Sequence, residues 1–462
     1  MQNRFCPFDH KESNSKIQSE NRLKFLFYFI KERKSWINLL PSSIYKAKID
    51  RVSLFNQNIF IISDIETVNN ILVKQVYNYP KHNLLHYMLK DLIPSSAFTT
   101  NGDVWQRQRE IVDKSLQNSK LDKVFPSMLS AADDMLQRIK IKSDVVISID
   151  EEMTFVTADV IFRTIFSKKL DKKTSDKIFN GFMQFQKYAL RMLILKMCKL
   201  VPIFSKIQVI KYAKLIREEL ITEIDNRYHL IEMGISPPDD ILKTLMSSTD
   251  SKGTSFNRKE VIDQVCMLFL AGHETSSAAL AWSLWLLAND VVIQDSAYDE
   301  IILVCENGNI TLEQTKRFNK IRNIFKESMR LFPPISMLLK EATEDHEILG
   351  KSVKKGSLLL ISPWIIHRHA NIWENAEFFE PYRFDDLECK YAINKGFIPF
   401  GKGERSCPGA GFATQEAILI LATIIRNFKI ETISTHTPKP VDRATLRSEN
   451  GIKIKLVKRN VQ

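Results

Sequence analysis

Between Arg258 and Asp290 apolar residues recur with no turn signal, and Asn257 followed by Glu260 supplies a capping-box start. The stretch predicts a helix some ~50 Å long at 1.5 Å per residue, enough to cross a whole domain. Its middle, VCMLFLAGHETSSAALAWSLWLLA, is apolar enough to suggest a membrane span, yet Gly272, His273, Glu274, Thr275, Ser276 and Ser277 interrupt it. In hydrocarbon such a cluster is costly, so burial inside a soluble protein is expected. Gly272 lets another group approach, and a Thr hydroxyl can bond the carbonyl a turn back, which predicts a local kink or widening with a small polar notch. Glu274 beside Thr275 sets a carboxylate next to a hydroxyl, the parts of a short proton relay. The plainer alternative is a kink whose polar groups satisfy one another.

The rest of the chain must build a body around such a helix. Its 462 residues are 44% hydrophobic and 26% charged, the balance of a globular protein with a sizeable core. Apolar residues at three- and four-residue spacing predict further helices near 65–75, 103–118, 120–140, 151–167, 172–196 and 207–232. KIDRVSLFNQNIFIISD reads as a β-hairpin, and VVISID (145–150), SLLLISPW (357–364) and GIKIKLV (451–457) read as strands. The fold class is therefore mainly α with a minor β part. SSTDSKGTS at 247–255 is a loop between helices, not a linker between domains. One large domain, 23–462, is expected after a polar segment, 1–22, that is a candidate for disorder. FLFYFI at 25–30 is too short to span a bilayer, which leaves at most peripheral membrane contact. The net charge of +12 is open to nucleic acid, an anionic surface or an acidic partner, but its scattered lysines also suit a solvated surface. The six cysteines form no CxxC clip, and the polar N-terminus lacks the order of a signal peptide, so a reducing cytoplasm is expected.

One cysteine stands apart. In FGKGERSCPG, Phe400 to Gly409, Cys407 lies in a glycine-rich loop directly before AGFATQEAILILATIIRNF, with Pro408 at about the first helical position. Glycines at 401, 403 and 409 allow tight turns that bring N–H groups to the sulfur. A helix N-terminus favours thiolate, and a thiolate so held is a strong iron ligand. The competing reading is one more buried cysteine.

FGKGERSCPG resembles the pattern Phe-x-x-Gly-x-Arg-x-Cys-x-Gly of the cytochrome P-450 haem-thiolate monooxygenases, a chance match on the order of one in 10⁵. LFLAGHETSS is similar to the family's distal-helix motif, KESMRLFPP to its Glu-x-x-Arg motif at Glu327 and Arg330, EPYRF to its later element at Arg383, and GDVWQRQR to Trp-x-x-x-Arg at Trp105 and Arg109. The resemblance runs from about residue 30 to 457. It implies a haem b between the long distal helix and the proximal cysteine loop, with Cys407 as the axial iron ligand. Phe400, Gly401, Gly409 and Ala271 would line the cofactor. Trp105 with Arg109 would hold one haem carboxylate, Arg405 the other, and Lys340 or Met337 stands where many members place a further Arg or His. Glu274 and Thr275 would orient and protonate bound oxygen, and Glu327, Arg330 and Arg383 would form a structural network. The implied protein is a soluble, bacterial-type, monomeric enzyme that oxygenates an apolar, lipid-like or terpenoid molecule and binds no nucleic acid. Its electrons would come from a ferredoxin or flavodoxin-type donor with its reductase, docking near Lys402, Arg107 and Lys114. Rival readings are a haem-thiolate peroxygenase or isomerase and a non-catalytic haem sensor.

Overall fold

Helix capping and apolar stripes translate directly into the architecture. In the computed structural model, residues 42–459 are described apart from 55–56, 118–120, 143, 306–307 and 443, together with Cys6, Pro7, Ser35 and Ile37. The polar 1–22 segment, except Cys6 and Pro7, and FLFYFI lie outside the described residues. Eight helices position the site: α1 (Gly102–Ser115), α2 (Leu121–Ile141), α3 (Ile149–Phe166), α4 (Lys172–Met197), α5 (Ile203–Glu232), α6 (Arg258–Asn289), α7 (Asn319–Leu331) and α8 (Ala410–Asn427). Asn257 and Glu260 close a reciprocal capping box on α6, satisfying donors that its first turn would otherwise leave unpaired.

The 32-residue α6 is unbroken, so the expected kink at AGHETSS is absent from its hydrogen-bond pattern. Gly272 instead serves helix packing: a Cβ there would sit 3.0 Å from Ile161 Cγ1 of α3. The close α3–α6 crossing forms the middle of the core, while α4 and α5 pack on each other. Helix α8 packs on α2, α6 and α7, which brings the segment after Cys407 against the distal helix.

The β part comprises short, scattered strands. The hairpin β1 (Ile49–Leu54) and β2 (Gln57–Ile62) pairs antiparallel from Ile49↔Ile62 to Leu54↔Gln57. In the same sheet β2 runs parallel to β5 (Leu358–Ile361), whose other edge takes β4 (Leu338–Glu341) antiparallel. A three-stranded sheet has β9 (Lys453–Lys458) between β3 (Val146–Ser148) and β6 (Phe428–Thr432). Alternate burial of Ile454 and Leu456 shows the period-2 pattern that marks β9 in the sequence. A small ribbon, β7 (Pro440–Asp442) with β8 (Leu446–Ser448), carries a residue that proves decisive at the distal helix.

Candidate active site

The cysteine loop is shaped by two glycines that no other residue replaces easily. Gly401 and Gly403 have φ of +71° and +72°, and a Cβ on Gly403 would come within 2.5 Å of Leu72 O. The turn brings the Cys407 N–H to Phe400 O at 2.8 Å, and Arg109 Nη1 donates to Ser406 O at 2.7 Å. The Cys407 thiol is accessible, yet it is enclosed enough that burial pushes its pKa up, against the Gly409 N–H and Arg109, which pull it down. Together these place the sulfur on an internal recess. Two sequence expectations change here. Helix α8 begins at Ala410 with Gly409 as its cap, so Pro408 stands outside it. Enclosure also outweighs the N-terminal donors, so the polypeptide alone does not favour thiolate; a coordinated metal ion would.

A group of cations clusters beside the cysteine loop, joined to it through Arg109 and Arg405. The Arg405 guanidinium lies 4.0 Å over the buried Trp105 ring, its Nε is buried without a partner, and its Nη1 reaches Thr100 O at 3.4 Å. Trp105 thus meets Arg405, while Arg109 is spread between Ser406 and Asp113 (2.6 Å). Lys340 is 5% exposed, and burial, with repulsion from Arg405, brings its pKa down to about 8. Lys81 bridges to Lys340 across the backbone and donates to Ala97 O and Phe98 O. Burial and then repulsion from Arg405, Lys340 and Arg109 hold the Lys81 pKa well down. Sequence reading missed Lys81, since YPKH carries no pattern that sets this lysine apart. Confined positive charge beside an accessible thiol is a donor set that would suit a haem, the sulfur holding its iron and the cations its anionic propionates.

On α6, Ala271 is exposed and Leu270 and Thr275 half-buried, although the flanking turns are buried. Ala271 and Thr275 share a face, and Thr275 Oγ1 donates to Ala271 O at 2.7 Å. Glu274 points elsewhere. Its carboxylate accepts from Arg447 Nε (3.0 Å), Thr445 Oγ1 (3.2 Å) and Gln186 Nε2 (3.3 Å), tying α6 to β8 and α4. His273 Nε2 lies 3.5 Å from the same carboxylate, and its ring sits among Phe179, Phe182 and Phe269. Burial would raise the Glu274 pKa, but Arg447 and His273 bring it down to about 2. Glu274 is therefore an ionised anchor, and no hydrogen bond joins it to Thr275.

The Glu-x-x-Arg pair is wholly buried. Glu327 accepts from Arg330 Nε at 2.7 Å and Nη2 at 2.8 Å and from Arg383 Nε at 3.1 Å. Arg330 also donates to His367 O, Ala376 O and Phe378 O. His367, unnoticed in the sequence, accepts at Nε2 from the Ile398 N–H at 2.9 Å, linking this network to the chain entering the cysteine loop. Burial and the neighbouring Arg330 and Arg368 keep its imidazole neutral, with a pKa of about 3. On the outer surface, Arg107 is paired with Glu260, while Lys114 and Lys402 donate to Thr249 O and Asn394 O.

An enclosed yet accessible thiol with Arg109 beside it, a neighbouring cluster of cations, and a distal helix whose turn opens at Ala271 and Thr275 are the equipment of a haem-thiolate oxygenase. The chain belongs to the cytochrome P450 family, whose model it matches over residues 43–456, and it is a monooxygenase with a haem-iron cofactor that takes electrons from a redox partner. It is similar to a cytokinin hydroxylase of Arabidopsis thaliana, with 30% identity over 402 residues, 86% of this chain and 78% of that one. An 11-oxo-beta-amyrin 30-oxidase of Glycyrrhiza uralensis is 29% identical over 86% of this chain and 78% of its own. A chloroplastic carotene epsilon-monooxygenase of Arabidopsis thaliana is 27% identical over 89% and 80%. These relatives are plant proteins and give no support to a bacterial-type placing.

Proposed function

We propose that this monooxygenase uses haem b and oxygenates an apolar, lipid-like or terpenoid molecule with electrons from a ferredoxin or flavodoxin-type donor. The observation that carries the reading is the accessible Cys407 thiol with Arg109 beside it and a cluster of buried or half-buried cations, Arg405, Lys340 and Lys81, that repel one another. In it, Cys407 is the axial ligand, Phe400, Gly401 and Gly409 shape the loop beneath the cofactor, and Ala271 lets the cofactor approach α6. Arg405, Lys340, Lys81 and Arg109 neutralise the propionates, with Trp105 supporting Arg405. The bound haem supplies O₂ activation, its thiolate ligand favouring O–O cleavage. Thr275 holds a proton donor at the distal face, and Glu274 fixes α6 through Arg447. Relatives named for an oxo-beta-amyrin and a carotene favour a hydrocarbon-rich substrate. A shift in haem spin state on adding such compounds would report occupancy, and silence across lipids and terpenoids would retire that substrate class.

Thr275→Ala should retain haem but divert most reducing equivalents into peroxide, because the distal face loses its ordered hydroxyl. Peroxide released per NAD(P)H consumed is the measurement. Unchanged coupling would assign the proton to another donor.

The same reading includes a peripheral membrane contact. Leu200, Val201, Ile203, Phe204, Ile207 and Ile210 are 46–80% exposed around the start of α5. Residues 177–217 contain nine Lys or Arg and no Asp or Glu. Among the described residues no single helix is long and apolar enough to cross a membrane. An apolar patch inside a basic surround suits the interface of an anionic bilayer. The holoprotein should float with vesicles of phosphatidylcholine containing phosphatidylserine, and Phe204→Asp with Ile207→Asp should stay in solution. Equal flotation of the two proteins would place the contact elsewhere.

A further inference from the structure

Glu416 of α8 is 1% exposed, and neither of its carboxyl oxygens has a hydrogen-bond partner. A buried carboxylate without donors or a counter-ion is so costly that the group takes up a proton instead. Among the described residues no charged group acts on it from any element packed around α8, whether α2, α6, α7, β6 or the helices Val291–Cys305 and Leu312–Arg317. Glu274, two positions before Ser276, is committed to Arg447. The Ser276 hydroxyl on α6, the residue following Thr275, comes close enough to act on the carboxyl, although the two do not meet the geometry of a formed hydrogen bond. Burial pushes the carboxyl up to about 8, with Ser276 pulling it partly back.

We propose that Glu416 is a positioning residue: as a neutral acid it donates to Ser276 and so fixes the rotation of the distal helix, and with it Thr275, against the helix that follows Cys407. Apolar ridges let two helices settle at several nearby rotations, whereas one directional polar contact between them selects a single one. Successive residues on α6 point about 100° apart, so a contact at Ser276 sets where the Thr275 hydroxyl points. The proposal rests on the proton-holding part given to Thr275 above.

Protonation gives the test its sign. Glu416 titrates near 4.5 in an unfolded chain and at about 8 when folded, so between those values the folded state holds a proton the unfolded state lacks. This group's contribution to stability therefore falls as pH rises through that window. Three measurements on the holoprotein follow, all with Glu416→Gln, which keeps a neutral donor, and the last also with Glu416→Leu, which keeps volume without one. The infrared carbonyl band of a protonated carboxylic acid should be present in the wild type at neutral pH and missing from the Gln variant. The decline of melting temperature from about pH 5 to pH 8 should be shallower in the Gln variant than in the wild type. Peroxide released per NAD(P)H should rise severalfold in the Leu variant and stay near wild type in the Gln variant. In the wild type it should climb above about pH 8, where the Gln variant stays flat. Absence of the infrared band, or equal peroxide yields in the Leu variant and the wild type, overturns the proposal. The band and the melting curves need no turnover, so they decide the Glu416 contact even if Thr275→Ala shows that the proton comes from elsewhere.

Discussion

Cys407→Ala is expected to abolish the long-wavelength absorption of the reduced, CO-bound protein, and O₂-dependent turnover with it. Cys198, Cys266 and Cys305 are buried, Cys389 is half-buried, and the accessible Cys407 alone stands in the loop shaped by Gly401 and Gly403. Methyl in place of sulfur leaves the neighbouring cluster of Arg405, Lys340, Lys81 and Arg109 intact, so some haem should still bind through its propionates while thiolate character disappears. Cys407→His sharpens the comparison, since neutral imidazole can hold iron yet donates less electron density. A long-wavelength band surviving in the Ala variant would falsify the ligand assignment.

Glu327→Ala and Arg330→Ala should each yield little soluble holoprotein. Both side chains are 0% exposed, and burial, which would raise the Glu327 pKa, is overcome by Arg330 and Arg383, so the carboxylate is charged when folded. Removing one partner strands the other charge, at roughly 3–5 kcal/mol, a large part of a domain's stability. Loss of Arg330 also strips donors from the His367, Ala376 and Phe378 carbonyls. Lys316→Ala, which breaks the exposed pair with Glu313, should leave haem content and melting temperature unchanged. Should the two core variants match that control, the buried network would have no part in holding the cysteine loop.

The contrast between these pairs reflects what a sequence displays. Residues 258–289 were legible as one helix because caps and apolar periodicity are local, as was the alternation in 453–458. Strands such as Leu338–Glu341 and Phe428–Thr432 were not, since a few residues carry no period and their pairing depends on distant partners. The cysteine loop was legible for its fixed glycine spacing. Lys81 and His367 were not, because each becomes notable only through what the fold places beside it. Glu274 shows the same limit: adjacency to Thr275 suggested a shared relay, but the partner that settles its state, Arg447, lies 173 residues away.

That separation also orders the birth of the molecule. The distal helix leaves the ribosome with His273 beside Glu274 and Gln186 already made in α4, but with no arginine to meet the carboxylate. At 5–20 residues per second, Arg447 is made roughly 10–30 s later. Until then, closing the core around α6 would bury the carboxylate without the charge that does most to keep it ionised. The nascent chain therefore gains most by remaining open at its centre, and the short ribbon carrying Arg447 acts as the closing stitch of synthesis.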